Sequence, residues 1–191
     1  MLNGKMALRL IFFPSCAAVL LAQGNYEIQT YPSETQAPET TMLELHSNFT
    51  IQGSKGYQRY VFSPDTWTLE IRPIIDKQIG RWYLAFNPVL DRSFHGPSVS
   101  QGVVFAPDFK AGYDITKKIN AGLEYYSSLG PVGNFDPLYQ QEQQIVPGVD
   151  LNLSPKWGFN FGVGVGVTRG TDRLLVKMIL GRRFGKTKSG N

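Results

Sequence analysis

Along most of this chain, large apolar residues fall at every second position, with small or polar residues between them. In KWGFNFGVGVGVTRG (156–170), one parity holds Trp157, Phe159, Phe161, Val163, Val165 and Val167. The other holds Gly158, Asn160, Gly162, Gly164, Gly166 and Thr168. Successive side chains of a strand point to opposite faces, so the segment reads as a strand with one bulky and one small face. A helix would scatter the apolar residues around its axis and would be weakened by so much glycine.

Seven further runs repeat the pattern. Leu43, Leu45, Phe49 and Ile51 alternate with Glu44, His46, Asn48 and Thr50. Trp67, Leu69, Ile71 and Ile75 oppose Thr68, Glu70, Arg72 and Asp76, and Trp82, Leu84, Phe86 and Leu90 oppose Tyr83, Ala85 and Asn87. Phe105, Phe109, Ala111 and Tyr113 oppose Asp108, Lys110, Gly112 and Asp114. Ile119, Ala121, Leu123 and Tyr125 oppose Asn120, Gly122, Glu124 and Tyr126. Ile145, Val149 and Leu151 oppose Gly148, Asp150 and Asn152, and Leu174, Val176, Met178, Leu180 and Phe184 oppose Lys177, Gly181 and Arg183. Runs of about nine to eleven residues match a tilted membrane-crossing strand.

The expected fold is therefore all-β: an antiparallel up-and-down transmembrane β-barrel of about eight strands, occupying 41–185. Short turns at KQIGR, TKK and SPK alternate with longer links at DRSFHGPSVSQ and GPVGNFDPLYQQEQQ, as in outer-membrane barrels. With the short turns placed in the periplasm, Trp82, Tyr113, Trp157 and Phe184 gather at one end as candidate membrane-girdle aromatics. Four prolines, Pro73, Pro88, Pro107 and Pro147, sit inside strand-like runs and work against an unbroken ladder. A soluble periplasmic barrel with its bulky face inward shares the same alternation. The membrane reading is preferred because the other face is too small and glycine-rich to make a good solvent surface.

The N-terminus adds a location. Lys5 and Arg9 precede the apolar LIFFPSCAAVLLA, and Ala22 and Gly24 offer a small-x-small cleavage site, so 1–24 reads as a signal peptide. Residues 25–40, rich in Pro, Thr and Glu, read as an extended segment, and 186–191 as a polar tail. The lone Cys16 lies in the leader, which excludes disulfides and thiolate metal sites from the mature chain. The leader, the alternating runs, DITKKINAGLEYY, LSPKWGFNFGVGVGVT and the closing LLVKMILGRRFG resemble bacterial outer-membrane β-barrel proteins. They are loosely similar to transporter-like barrels of the phenol-degradation MetA-pathway family. That resemblance implies the bacterial outer membrane, lipid as a partner and passage of a small hydrophobic solute.

Composition agrees with β structure: 13% aromatic, 18% charged and 20 glycines. The net charge of +4 carries no basic tract beyond the tail GKTKSGN, so nucleic acid is not an expected partner. Candidate lumen-lining residues are Glu44, His46, Glu70, Arg72, Lys110, Glu124, Asp150 and Lys177. Both signs occur, which points to a mutually paired network filling a narrow interior, with a polar conduit as the rival. No catalytic, cofactor-binding or metal residues are expected. His46 and Ser47 are adjacent on a strand and so face opposite ways, and the two histidines show no ligand spacing. The expected role is non-enzymatic, structural or in small-molecule transport. The alternatives are a channel for small hydrophobic or aromatic compounds, with more strands or as an oligomer, and a soluble periplasmic binder.

Overall fold

The computed structural model describes residues 8–9, 30, 40–53 and 67–185. The expected signal peptide apart from Leu8 and Arg9, most of 25–40, and the tail 186–191 lie outside the described residues.

The strands are β1 (Leu8–Arg9), β2 (Thr40–Gln52), β3 (Trp67–Ile71), β4 (Ile74–Ile79), β5 (Trp82–His95) and β6 (Val103–Thr116). They continue with β7 (Ile119–Ser128), β8 (Gly130–Pro131), β9 (Glu142–Ser154), β10 (Trp157–Gly166) and β11 (Leu174–Gly185). One short 3-10 turn, Pro97–Gln101, links β5 to β6. All pair antiparallel in one sheet of order β1-β4-β5-β6-β7-β9-β10-β11-β2, with β3 also on β5 and β8 also on β6. The up-and-down order and the pairing of the first long strand with the last, Leu45 opposite Leu180, follow the expected topology.

Two expectations need correction. The count of about eight becomes eleven segments, because a run read as one strand is split at Arg72–Pro73 into β3 and β4 and because β1 and β8 are two-residue bridges. The sheet is also not closed: among the described residues β2 pairs with β11, while β3 and β4 pair with β5, and no pairing joins these two edges.

Local chemistry explains the turns. Gly80–Arg81, Lys117–Lys118 and Pro155–Lys156 each connect two strands by two residues, and all three lie at the same end of the sheet. Gly80 holds φ at 60°, a left-handed conformation glycine adopts without strain. At the other two turns a hydroxyl closes the loop. Thr116 Oγ1 accepts from the N–H groups of Lys118 and Ile119 at 3.1 Å, and Ser154 Oγ from those of Lys156 and Trp157 at 3.2 Å. The longer links cover 96–102, 129–141 and 167–173 at the opposite end.

The glycine parity has a packing consequence. Gly112 opposes Gly122, Gly122 opposes Gly148, Gly148 opposes Gly162, and Gly162 opposes Lys177. Four adjacent strands thus present a row of glycines across one face. A Cβ at Gly122 would lie 2.4 Å from the Ala111 carbonyl oxygen, and one at Gly148 2.8 Å from that of Phe161. The wall bends along this row, and only residues without a side chain fit its concave side. Lys177 on β11 consequently meets Glu124 on β7, three strands away in the sheet.

That face is the buried one. Lys177 is 1% exposed and Glu124 4%, and Ala85, Val89, Val146, Leu175 and Ile179 are buried as well. The bulky parity is the outer one: Leu43, Phe49, Leu84, Phe109, Leu153 and Leu180 are all exposed. Apolar side chains on the concave face depart from the sequence reading, which assigned only small and polar residues to it.

Candidate functional site: a charged cluster on the inner face

The centre of the concave face is a network of ions. Glu124 on β7 accepts from Lys110 of β6 at 2.8 Å and from Lys177 of β11 at 2.5 Å. Lys110 reaches on to Asp150 of β9 at 2.7 Å, whose other oxygen accepts from Asn160 Nδ2 of β10 at 2.6 Å. The Tyr126 hydroxyl donates to Glu124 and accepts from Lys177 Nζ at 3.0 Å. Five strands converge on one cluster because the register places these residues on a single parity and the glycine row removes the side chains that would keep the walls apart. Two ammonium and two carboxylate groups balance in charge, as ions withdrawn from water require.

A second cluster lies near the break between β3 and β4. Arg72 donates from Nε to Glu70 at 2.8 Å and from Nη1 to Asp108 at 3.3 Å, reaching across β5 to do so. On β2, His46 Nε2 stands 3.3 Å from Glu44, both partly exposed. Of the eight candidate lumen residues the structure therefore joins Lys110, Glu124, Asp150 and Lys177 in one network, Glu70 and Arg72 in another, and Glu44 and His46 in an edge pair. Sequence reasoning left out Asp108, Tyr126 and Asn160 as members of these networks, although each shares the inward parity that would have found them. Thr30, in a segment expected to be an extended leader or loop, is 4% exposed and lies beside Tyr126. His46 opposes Ile179 on the inner side while Ser47 opposes Met178 on the outer one, so the two cannot act on one substrate atom.

Trp82, Tyr113, Trp157 and Phe184 all lie on the outer face toward the two-residue turns. Trp82 and Tyr113 pack edge to face at 5.0 Å, with the Arg81 guanidinium 4.7 Å from the tyrosine ring. The Arg182 guanidinium sits 4.9 Å from both the Trp157 and the Phe184 rings. At the loop end a further pair, Trp67 and Phe94, packs at 5.1 Å. The sequence reading did not single out that pair or the two arginines.

These features define an antiparallel β-wall with an exposed apolar convex face and an ion-paired concave face. No family model matches the chain and no curated protein matches it, so the resemblance to the MetA-pathway family gains no support. Among solved structures, one similar to it is a chain from "De novo design of transmembrane beta-barrels", at 9% identity and a TM-score of 0.38. The match covers 78% of this chain and 98% of that one. A likeness at that score carries no weight, and the fold rests on the strand pairing itself.

Proposed function

We propose that the chain forms the wall of an outer-membrane β-barrel whose interior is filled by its own ion pairs, with a structural or small-molecule transport role and no catalytic one. The observation that carries this reading is the pairing of opposite faces. A continuous exposed apolar surface backs onto a cluster in which Lys177 and Glu124 are almost fully withdrawn from water. A soluble protein would leave those charges outside and the phenylalanines inside, whereas hydrocarbon reverses the preference. The outer aromatics near the two-residue turns, each pair accompanied by an arginine, fit a membrane-water interface, where rings sit at headgroup level and cations reach water. The start of β2 and the end of β11 then lie in the periplasm, and lipid is the principal partner.

A filled interior does not conduct. Purified protein in planar bilayers is expected to stay electrically silent. Steady single-channel steps would overturn the filled interior in favour of an open channel, formed with more strands or as an oligomer. Membrane fractionation tests the location: release into the soluble fraction by salt alone would overturn the membrane reading and favour a periplasmic binder.

A further inference from the structure

We infer that the wall contains a lateral portal for small uncharged apolar molecules, located where Pro73 faces Pro88. The inference rests on the membrane reading above and adds a route and a ligand class to it. Ile71 opposes Leu90 and Ile75 opposes Phe86, so the unbroken register sets Pro73 opposite Pro88. Ile79 and Trp82 flank the Gly80–Arg81 turn and form a hydrogen-bonded pair, and bonded pairs recur at alternate rungs. The rungs 77–84, 75–86 and 73–88 are therefore bonded positions, and at the last of them neither residue has an N–H to give.

Both ladder hydrogen bonds of that rung are absent, and it is there that β3 and β4 part. The weakness extends sideways. Pro107 opposes Pro88 on the next strand, and the β6–β7 ladder stops at Phe109–Tyr125, two rungs short of it. Three prolines thus form a transverse row through β3/β4, β5 and β6. The row lies about six residues from the aromatic pair Trp82–Tyr113, roughly 20 Å along a strand, which places it within the hydrocarbon band of the proposed barrel. Such a gap is unexpected in lipid, where the backbone must satisfy itself.

The surroundings of the gap select the ligand. On the outer face a groove of about 450 Å³ begins two rungs away, at Ile75 and Phe86, and is lined further by Leu84, Phe109, Leu123 and Tyr125. That volume falls in the range of small-molecule sites. Phe86 and Phe109 stack at 4.5 Å across the wall of this groove. On the inner face Ile74 and Val89, beside the two prolines, are buried and apolar. A molecule dissolved in the bilayer therefore meets apolar surface on the outer side of this rung and, on the inner side, Ile74 and Val89 beside the paired Arg72 and Asp108.

The test uses single-cysteine variants in a Cys16→Ser background, folded into liposomes. N-pyrenylmaleimide dissolved in the bilayer is expected to label Val89→Cys on the inner face. It should leave Ile179→Cys, on the inner face of β11, unlabelled. Replacing both prolines, Pro73→Val with Pro88→Val, restores two hydrogen bonds and should slow the labelling of Val89→Cys by about tenfold. Amide hydrogen exchange at Ile74 and Val89 should slow in the same variant, a readout independent of the thiol. The portal is overturned if Val89→Cys resists the reagent, if it reacts equally fast after the proline replacement, or if a water-soluble sulfonated maleimide labels it as well. Leu84→Cys, on the outer face, separates the two readings. If it too resists the bilayer reagent, the membrane assignment itself has failed.

Discussion

Replacing Glu124 by glutamine is the most informative perturbation of this fold, because this one carboxylate bridges both ammonium groups of the cluster. The substitution keeps shape and volume and removes a single charge. Lys110 retains Asp150 at 2.7 Å. Lys177 keeps only the Tyr126 hydroxyl at 3.0 Å among the contacts described above, at 1% exposure. Removing one partner of a buried ion pair typically destabilises by about 3–5 kcal/mol, because the remaining charge stays desolvated and unpaired. The amide oxygen of the introduced glutamine can still accept a hydrogen bond from Lys177, which places the expected loss near the lower end, at about 3 kcal/mol. The assay is urea unfolding of protein folded into liposomes, followed by tryptophan emission and by the mobility difference between folded and unfolded barrels on gels. The double variant Glu124→Met with Lys177→Met removes the stranded charge and should return to within about 1 kcal/mol of the parent, since apolar replacement of a whole buried pair is often neutral. A loss below about 0.5 kcal/mol for Glu124→Gln would refute the reasoning, because Lys177 would then have to be hydrated and the interior a conduit rather than a packed ion cluster.

Three further outcomes are expected. Gly122→Ala places a Cβ 2.4 Å from a backbone oxygen that cannot rotate away, and urea unfolding should show a loss of about 1–3 kcal/mol. The same change at Gly80 meets no neighbouring atom but forces alanine to φ 60°, so about 1 kcal/mol is expected there by the same measurement. Single-tryptophan variants retaining Trp82 or Trp157 should be quenched most strongly by lipids brominated near the headgroup and least by lipids brominated at the chain ends. The opposite order would remove both residues from the interface.

The alternation made the strands legible because hydrophobic periodicity is a local property, readable without knowing what any strand pairs with. Which parity is buried does not follow from alternation alone, and the choice rested on the small, glycine-rich character of one face. Lys177 and Glu124 lie inside while Leu180 and Leu123 are exposed, as the sequence pattern required for a wall in lipid. What the pattern could not supply is register. That Gly112, Gly122, Gly148 and Gly162 form one row, and Pro73, Pro88 and Pro107 another, depends on pairings between strands, and residues up to fifty positions apart must be aligned before either row exists. For the same reason the lumen charges could be named singly but not joined, and Tyr126 and Asp108 were overlooked although they complete the two clusters. The split of β3 from β4 was half visible: a proline in a strand signals a break, but the size of the defect is set by the residue across from it. Against any other residue Pro73 would forfeit one hydrogen bond of its rung, and against Pro88 it forfeits both. The two rows together give the wall its mechanics. Glycine lets it curl until Lys177 reaches Glu124, and the doubled proline leaves it weakest between β4 and β5, whereas the ion pairs of the Glu124 cluster join β6, β7, β9 and β11. Loosening the Pro73–Pro88 rung therefore breaks none of those pairs, so the portal and the filled interior are compatible properties of a single sheet.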